Sequence, residues 1–248
     1  MKSLTILKLG TTAENTIARL GDCDHWIART IGTLPLPVRV IDILGGEALP
    51  AIDSCAGVIL TGSGAMVTER LPWSEATRTW LQQAVPAGVP IFGICYGHQL
   101  LADAFGGHVD YHPDGLEVGN IPLSRHSHCD DDPLFADLPG EFCANATHFQ
   151  SVLRLPDNAV PLAANAHDPH HAYRIGHCAW GVQFHPEFDE AVMHDYIERR
   201  RPYLDEHGRD ADALIRSLEP TPHSAALLVR FAQWVAAQHA PENEIKTA

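Results

Sequence analysis

The sequence predicts a three-layer α/β fold: a mostly parallel central sheet covered by helices on both faces, with a small antiparallel extension. Three observations carry this. The apolar runs "AGVIL" (56–60) and "VPIFGI" (89–94) lack the alternation of a half-exposed strand, so both of their faces must be covered. Stretches with a helical period separate such runs. Two runs end in glycines, "LTGSG" (60–64) and "GICYG" (93–97), and open α/β sheets place ligands beyond the carboxyl ends of their strands.

Taken in order, "SLTILKLG" (3–10) reads as a buried strand. Residues 10–35 carry helices that match no motif. "PVRVIDIL" (37–44) is a second strand, with Val38, Val40 and Ile43 around two charges. "AGVILTGSG" (56–64) is a third. "SEATRTWLQQAV" (74–85) is a helix with Ser74 as N-cap and an early acid. After strand 89–94, "GHQLLADAFGG" (97–107) is a helix stopped by two glycines.

Beyond Gly107 the chain changes character. "HVDYHPDGLEVGNIPLS" and "CANATHFQSVLRLP" read as shorter strands, with Pro, Asp and Gly at their turns. "AWGVQFHPEF" (179–188) returns to a strand. "EAVMHDYIERR" (190–200) and "HSAALLVRFAQWVAAQ" (223–238) are helices, the second with Leu228, Phe231 and Val235 on one stripe. Residues 201–222 are polar and partly loop, and Arg199, Arg200 and Arg201 stand at a helix end, where the dipole favours cations. With no internal repeat or low-complexity tract, residues 1–240 read as one domain and 241–248 as a tail.

Composition narrows the function. The 248 residues are 45% hydrophobic, which suits a folded domain. The net charge is −14 with 17 Lys+Arg and no long basic run, which argues against nucleic acid and anionic membranes as partners. No stretch approaches the roughly 20 apolar residues of a membrane span, and the N-terminal apolar segment is too short for a signal peptide. A cytoplasmic location follows. The 6 cysteines are spread irregularly with no CxxC, which is neither a disulfide framework nor a zinc knuckle.

One of those cysteines stands apart. Gly93-Ile-Cys95-Tyr-Gly97 has the form glycine, any residue, nucleophile, any residue, glycine, with a strand before it and a helix after it. Glycines flank such a nucleophile because the sharp turn brings backbones too close for a Cβ. The helix behind it offers free N–H groups and a positive dipole end to an anionic sulfur or a developing oxyanion. A thiol so placed needs a base and an orienting group. "GVQFHPEF" offers His185 and Glu187, two apart and therefore on one face of a strand. Together they make a Cys95–His185–Glu187 triad.

"GICYGHQLLADAFGG" with "GVQFHPEF" resembles the class I, triad-type glutamine amidotransferase family over about residues 40–190, and in particular its stand-alone, GMP-synthase-like members. The resemblance implies a flavodoxin-like sheet, Cys95 as nucleophile and His185 and Glu187 as its partners. It also implies that Gln99 helps hold the amino acid end of glutamine. "LTGSGAM" (60–66) stands where the family has Gly-Gly-Pro, so Gly62 would border the substrate and Ser63 would supply a backbone N–H beside that of Tyr96. "ATHFQSV" (146–152) matches the loop whose main chain lines the glutamine pocket, which brings in His148 and Phe149.

The implied reaction is hydrolysis of the γ-carboxamide of glutamine through a γ-glutamyl thioester, releasing glutamate and ammonia, with no metal or cofactor. No phosphate loop and no serine-glycine-glycine nucleotide loop follow residue 190, so either a separate synthetase subunit uses the ammonia or the chain hydrolyses γ-glutamyl bonds on its own. Two alternatives stand beside this: a stand-alone hydrolase of γ-glutamyl peptides, and an inactive member kept for binding. "SRHSHCDDD" (124–132) and "AHDPHHAYRIGH" (166–177) look like metal clusters, and His126 and His128 alternate as on one strand face. Neither has a second pair at zinc-finger spacing, so no metal is expected.

Overall fold

The computed structural model describes residues 2–239. It opens with β1 (Ser3–Lys8), α1 (Glu14–Leu20), α2 (Cys23–Ile31) and β2 (Val38–Asp42). Next come β3 (Cys55–Leu60), α3 (Pro72–Ala84), β4 (Ile91–Ile94) and α4 (Tyr96–Ala104). A run of strands follows: β5 (His108–Tyr111), β6 (Glu117–Arg125), β7 (Glu141–His148), β8 (Gln150–Arg154), β9 (Ala159–Ala164), β10 (Ala172–Ile175) and β11 (Ala179–Val182). Helices α5 (Glu190–Glu206), α6 (Ala211–Arg216) and α7 (Pro222–Gln238) complete the described chain.

A 9-stranded sheet runs in the order β2-β1-β3-β4-β11-β10-β9-β6-β7, and β5 pairs with β8 in a separate ribbon. From β2 to β11 the strands are parallel. From β11 to β7 they are antiparallel. Every residue of β3 and β4 is buried, which is why their sequences show no alternation. Successive residues still face opposite layers. Leu4, Ile6, Ile59 and Phe92 join the core that includes Leu228, Phe231 and Val235 of α7. Leu7, Val58, Leu60 and Ile91 join the other, with Trp80 and Leu81 of α3 and Leu100 and Leu101 of α4. A third cluster holds Cys23 and Trp26 of α2 against Phe188 and against Val192, Met193 and Ile197 of α5. The candidate site lies beside that third cluster, at the carboxyl ends of β3, β4 and β11.

The fold class matches the expectation, and several local details do not. Strand 37–44 shortens to β2 at the sheet edge, where Val38 and Val40 are exposed rather than packed. Helix 74–85 begins earlier, because Pro72 supplies a preset φ in the first turn. Ser74 therefore caps nothing; it is buried and accepts from the Tyr96 hydroxyl at 2.6 Å.

Residues 201–222 are more helical than expected, with α5 continuing to Glu206 through Pro202. The Arg199–Arg201 run thus sits inside a helix, not at its end. Arg201 bonds the Glu198 carboxylate at 2.7 and 2.8 Å and reaches Asp212 of α6 at 2.7 Å, tying α5 to α6. His126 and His128 share no strand face, because β6 stops at Arg125 and a 3-10 turn, Ser127–Cys129, follows. The expected tail 241–248 lies outside the described residues. No described helix is long and apolar enough to cross a membrane.

Candidate active site

Cys95 sits between β4 and α4 with φ 50° and ψ −99°. Only Arg70 shares a positive φ among the described non-glycine residues. The turn is held from both sides: the Cys95 N–H donates to the Val182 carbonyl at 2.8 Å, and its carbonyl accepts from Gln99 N at 3.0 Å. The flanking glycines are steric necessities. A Cβ on Gly93 would lie 2.6 Å from the Gly97 carbonyl carbon, and one on Gly97 would lie 2.5 Å from the Leu60 Cβ. The first turn of α4 thus packs directly on β3 and β4, which aims the sulfur past the sheet edge. Sγ lies 4.0 Å from the Thr147 carbonyl oxygen.

His185 and Glu187 meet by a different route from the one their spacing suggests. Strand β11 ends at Val182, so the pair is not on a strand face. A turn joins them instead, with Phe188 N donating to the His185 carbonyl at 3.3 Å. Pro186 occupies the turn position that suits its fixed φ. Asn145 closes the turn: its carbonyl accepts from His185 N at 2.8 Å, and its side-chain amide donates to the Phe188 carbonyl at 3.0 Å. The Phe188 ring stacks on the imidazole at 4.0 Å and 17°.

Nδ1 of His185 lies 2.8 Å from Oε1 of Glu187, so Nδ1 carries a hydrogen, and Nε2 has no hydrogen-bond partner among the described residues. Burial alone would push this imidazole down. The Glu187 carboxylate and the Cys95 sulfur more than offset it and raise the pKa to about 10. Gly62 is the close neighbour of both reactive groups. A Cβ there would stand 3.1 Å from His185 Cε1 and 3.7 Å from Cys95 Cβ. A cavity of about 30 Å³ opens between Gly62, Ser63, Gly64, His185 and Tyr196, room for a water-sized molecule.

The wall of the site is a hydrogen-bonded network. Gln99 Nε2 donates to the Gln150 carbonyl at 2.6 Å and to Gln183 Oε1 at 3.0 Å, so its side chain is committed to the wall. His148 is likewise committed, with Nδ1 3.0 Å from the Gln150 carbonyl and Nε2 2.9 Å from Glu117 Oε2. The Phe149 ring carries the Arg200 guanidinium 5.1 Å above it and meets Tyr203 edge-on. Tyr96 contributes the first N–H of α4, while its ring packs against Trp73.

Cys95, His185, Glu187, Gly62 and Ser63 therefore cluster, whereas the side chains of Gln99 and His148 act on the wall. Sequence reasoning misses Asn145, Phe188, Glu117 and His171. Only Phe188 carries a visible signal, as the aromatic residue that completes "HPEF".

The model of the "Glutamine amidotransferase class-I" family matches residues 21–200. The chain belongs to this family. Among curated relatives, it is 34% identical over 177 residues to the GMP synthase (glutamine-hydrolyzing) of Aeropyrum pernix, covering 67% of this chain and 31% of that protein. It is 32% identical over 181 residues to one subunit of the GMP synthase (glutamine-hydrolyzing) of Methanococcus maripaludis, covering 71% of this chain and 88% of that subunit. Against the first of these, and its counterpart in Thermomicrobium roseum at 25%, the chain spans a third or less of the relative's length. A solved glutamine amidotransferase from Thermotoga maritima shares the fold, with a TM-score of 0.75 at 21% identity over 95% of this chain and 98% of that one. The class-I glutamine amidotransferase match extends on both sides of the stretch that carries the motif resemblance.

Proposed function

We propose that this chain hydrolyses the γ-carboxamide of glutamine through a Cys95–His185–Glu187 triad. The observation that carries the reading is a strained cysteine beside an imidazole whose Nδ1 is locked onto a buried carboxylate. The Cys95 thiolate attacks the γ-carbonyl carbon, and the N–H groups of Ser63 and Tyr96 hold the oxyanion. His185 Nε2–H protonates the amide nitrogen as its C–N bond breaks, and ammonia leaves. The same nitrogen then takes a proton from water, which attacks the γ-glutamyl thioester and frees glutamate and Cys95. Gly62, Gln99, His148 and Phe149 shape the glutamyl pocket, and no metal or cofactor enters these steps.

A separate synthetase subunit would receive the ammonia. Support comes from the Methanococcus maripaludis relative, which is itself named as one subunit of a GMP synthase and is covered at 88% of its length. A cytoplasmic location suits 6 cysteines that are all unpaired. Residues 1–240 act as a single domain in this reading.

One observation favours a second substrate class, γ-glutamyl peptides. Arg200 is half-buried over Phe149, beside the expected glutamyl pocket, and makes no ion pair among the described residues; burial pushes its guanidinium down. Such a cation suits a carboxylate on the leaving amine. The test is glutamate release by the isolated protein from glutamine and from γ-glutamyl peptides in parallel, with Cys95→Ala as blank. Cys95-dependent turnover of glutamine is expected. Turnover of peptides alone would replace the first reading with the second. No turnover of either, with or without a synthetase partner, would mean an inactive binding member.

A further inference from the structure

We propose that Glu117, His148 and His171 form a buried site for a divalent first-row transition cation behind the glutamyl pocket. The three come from separate segments: the first residue of β6, the last of β7 and the residue before β10. Their ligand atoms lie within 4.8 Å of one another, and Nε2 of each histidine is 2.9 Å from the same oxygen, Glu117 Oε2. Ligands about 2.0–2.1 Å from a tetrahedral zinc stand roughly 3.3 Å apart, so a small expansion admits the ion.

The contacts of the two rings support the site. Nδ1 of His148 faces the Gln150 carbonyl, which can only accept, so Nδ1 carries a hydrogen. Its Nε2 meets Glu117 Oε2 at 2.9 Å, a contact that either a proton or a shared metal ion can bridge. His171 is fully buried; its Nε2 is close to Glu117 without hydrogen-bond alignment, and its Nδ1 has no partner among the described residues. That placement, close to the carboxylate oxygen but off the hydrogen-bond line, suits a shared ion better than a hydrogen bond.

The surroundings fit the same reading. Asn165 Nδ2 donates to Glu117 Oε1 at 2.7 Å, leaving Oε2 for the ion, and the Gln150 carbonyl orients His148 as outer partners of metal-bound histidines do. Asp168 is buried, with Oδ2 unpartnered among the described residues. His167 and His112, stacked at 4.0 Å, lead from solvent toward His148. The ion would clamp β6 and β7 to the start of β10. It would thereby fix the Thr147 carbonyl beside Cys95 and the Gln150 carbonyl that anchors Gln99.

The test uses the full chain without an affinity tag, stripped with chelator and titrated with Zn²⁺ in competition with a chromophoric chelator. One tight equivalent is expected, with Co²⁺ giving the visible bands of a low-coordinate N/O site. His171→Asn is expected to weaken that equivalent by about 100-fold or more. His126→Asn, at the stacked His126–His128 pair outside the cluster, should leave it intact. Zn²⁺ should raise the unfolding temperature of the wild type and not of His171→Asn. If His171→Asn does not fold, Glu117→Gln serves in its place. The absence of a tight equivalent, or one that survives both substitutions, would overturn the site and leave a proton between His148 and Glu117.

Discussion

Nδ1 of His185 donates to Oε1 of Glu187 at 2.8 Å across a single turn, and Asn145 holds that turn at both ends. The pair is buried, so its charges interact strongly and little water competes. The carboxylate sets which imidazole nitrogen carries hydrogen and leaves Nε2 for the cysteine. Most expected behaviour of the site follows from this contact and from the strain at Cys95.

Glu187→Gln should slow turnover by about 10²–10⁴-fold, since the group orients and does not react. It should also move the alkaline limb of the pH–rate profile to lower pH. Burial lowers the His185 pKa; Glu187, first among the opposing causes, helps lift it to about 10, and removing that charge lowers it. The stability that wild-type His185 gains from this shift is fully present below its ordinary value of 6.5 and is lost as pH rises through about 10. Unfolding of the wild type and Glu187→Gln across that range should therefore converge toward alkaline pH.

Cys95→Ala and Cys95→Gly should both abolish turnover, but they should differ in stability. At φ 50° and ψ −99° a side chain is disfavoured, and glycine is not. Cys95→Gly is expected to be the more stable of the two by about 1 kcal/mol, read from urea unfolding.

Gly97→Ala should destabilise the protein by about 1–3 kcal/mol, because its Cβ would overlap Leu60 in the packed contact between α4 and β3. Gly64→Ala, with open space around it, should be nearly neutral. Thermal unfolding of the two variants side by side separates the effects.

Phe188→Ala removes a ring that stacks on His185 at 4.0 Å and meets Trp26 at 5.3 Å. A cost of about 3–5 kcal/mol is expected. At a temperature where the variant stays folded, kcat should fall more than KM rises. Phe188→Leu should recover most of the stability and less of the rate, because volume returns without the stack.

The parallel half of the fold is legible because its physics is local. Glycines at 93 and 97, placed between an apolar run and a helical pattern, announce a backbone approach that only glycine permits. The residues His185 and Glu187 are equally legible, but their geometry is not. An apolar stretch through "GVQFHPEF" looks like strand, whereas Pro186 makes it a turn beyond Val182. Helix α5 outruns its sequence signal: Pro202 suggests a stop, yet the helix runs on to Glu206, and Arg201 ties its preceding turn to Asp212 of α6. The partners of His148 leave no mark in the sequence. Glu117 reaches it across the β6–β7 pair and His171 from the turn before β10, and no spacing rule encodes that meeting.

The most direct test of the triad is covalent capture of the nucleophile. The protein is incubated with a diazoketone analogue of glutamine, and its intact mass and peptide map are recorded while glutamate release is followed. One label on Cys95, formed in step with loss of activity and slowed by glutamine, is the expected result. Label confined to another cysteine, or activity that survives complete labelling of Cys95, would contradict it.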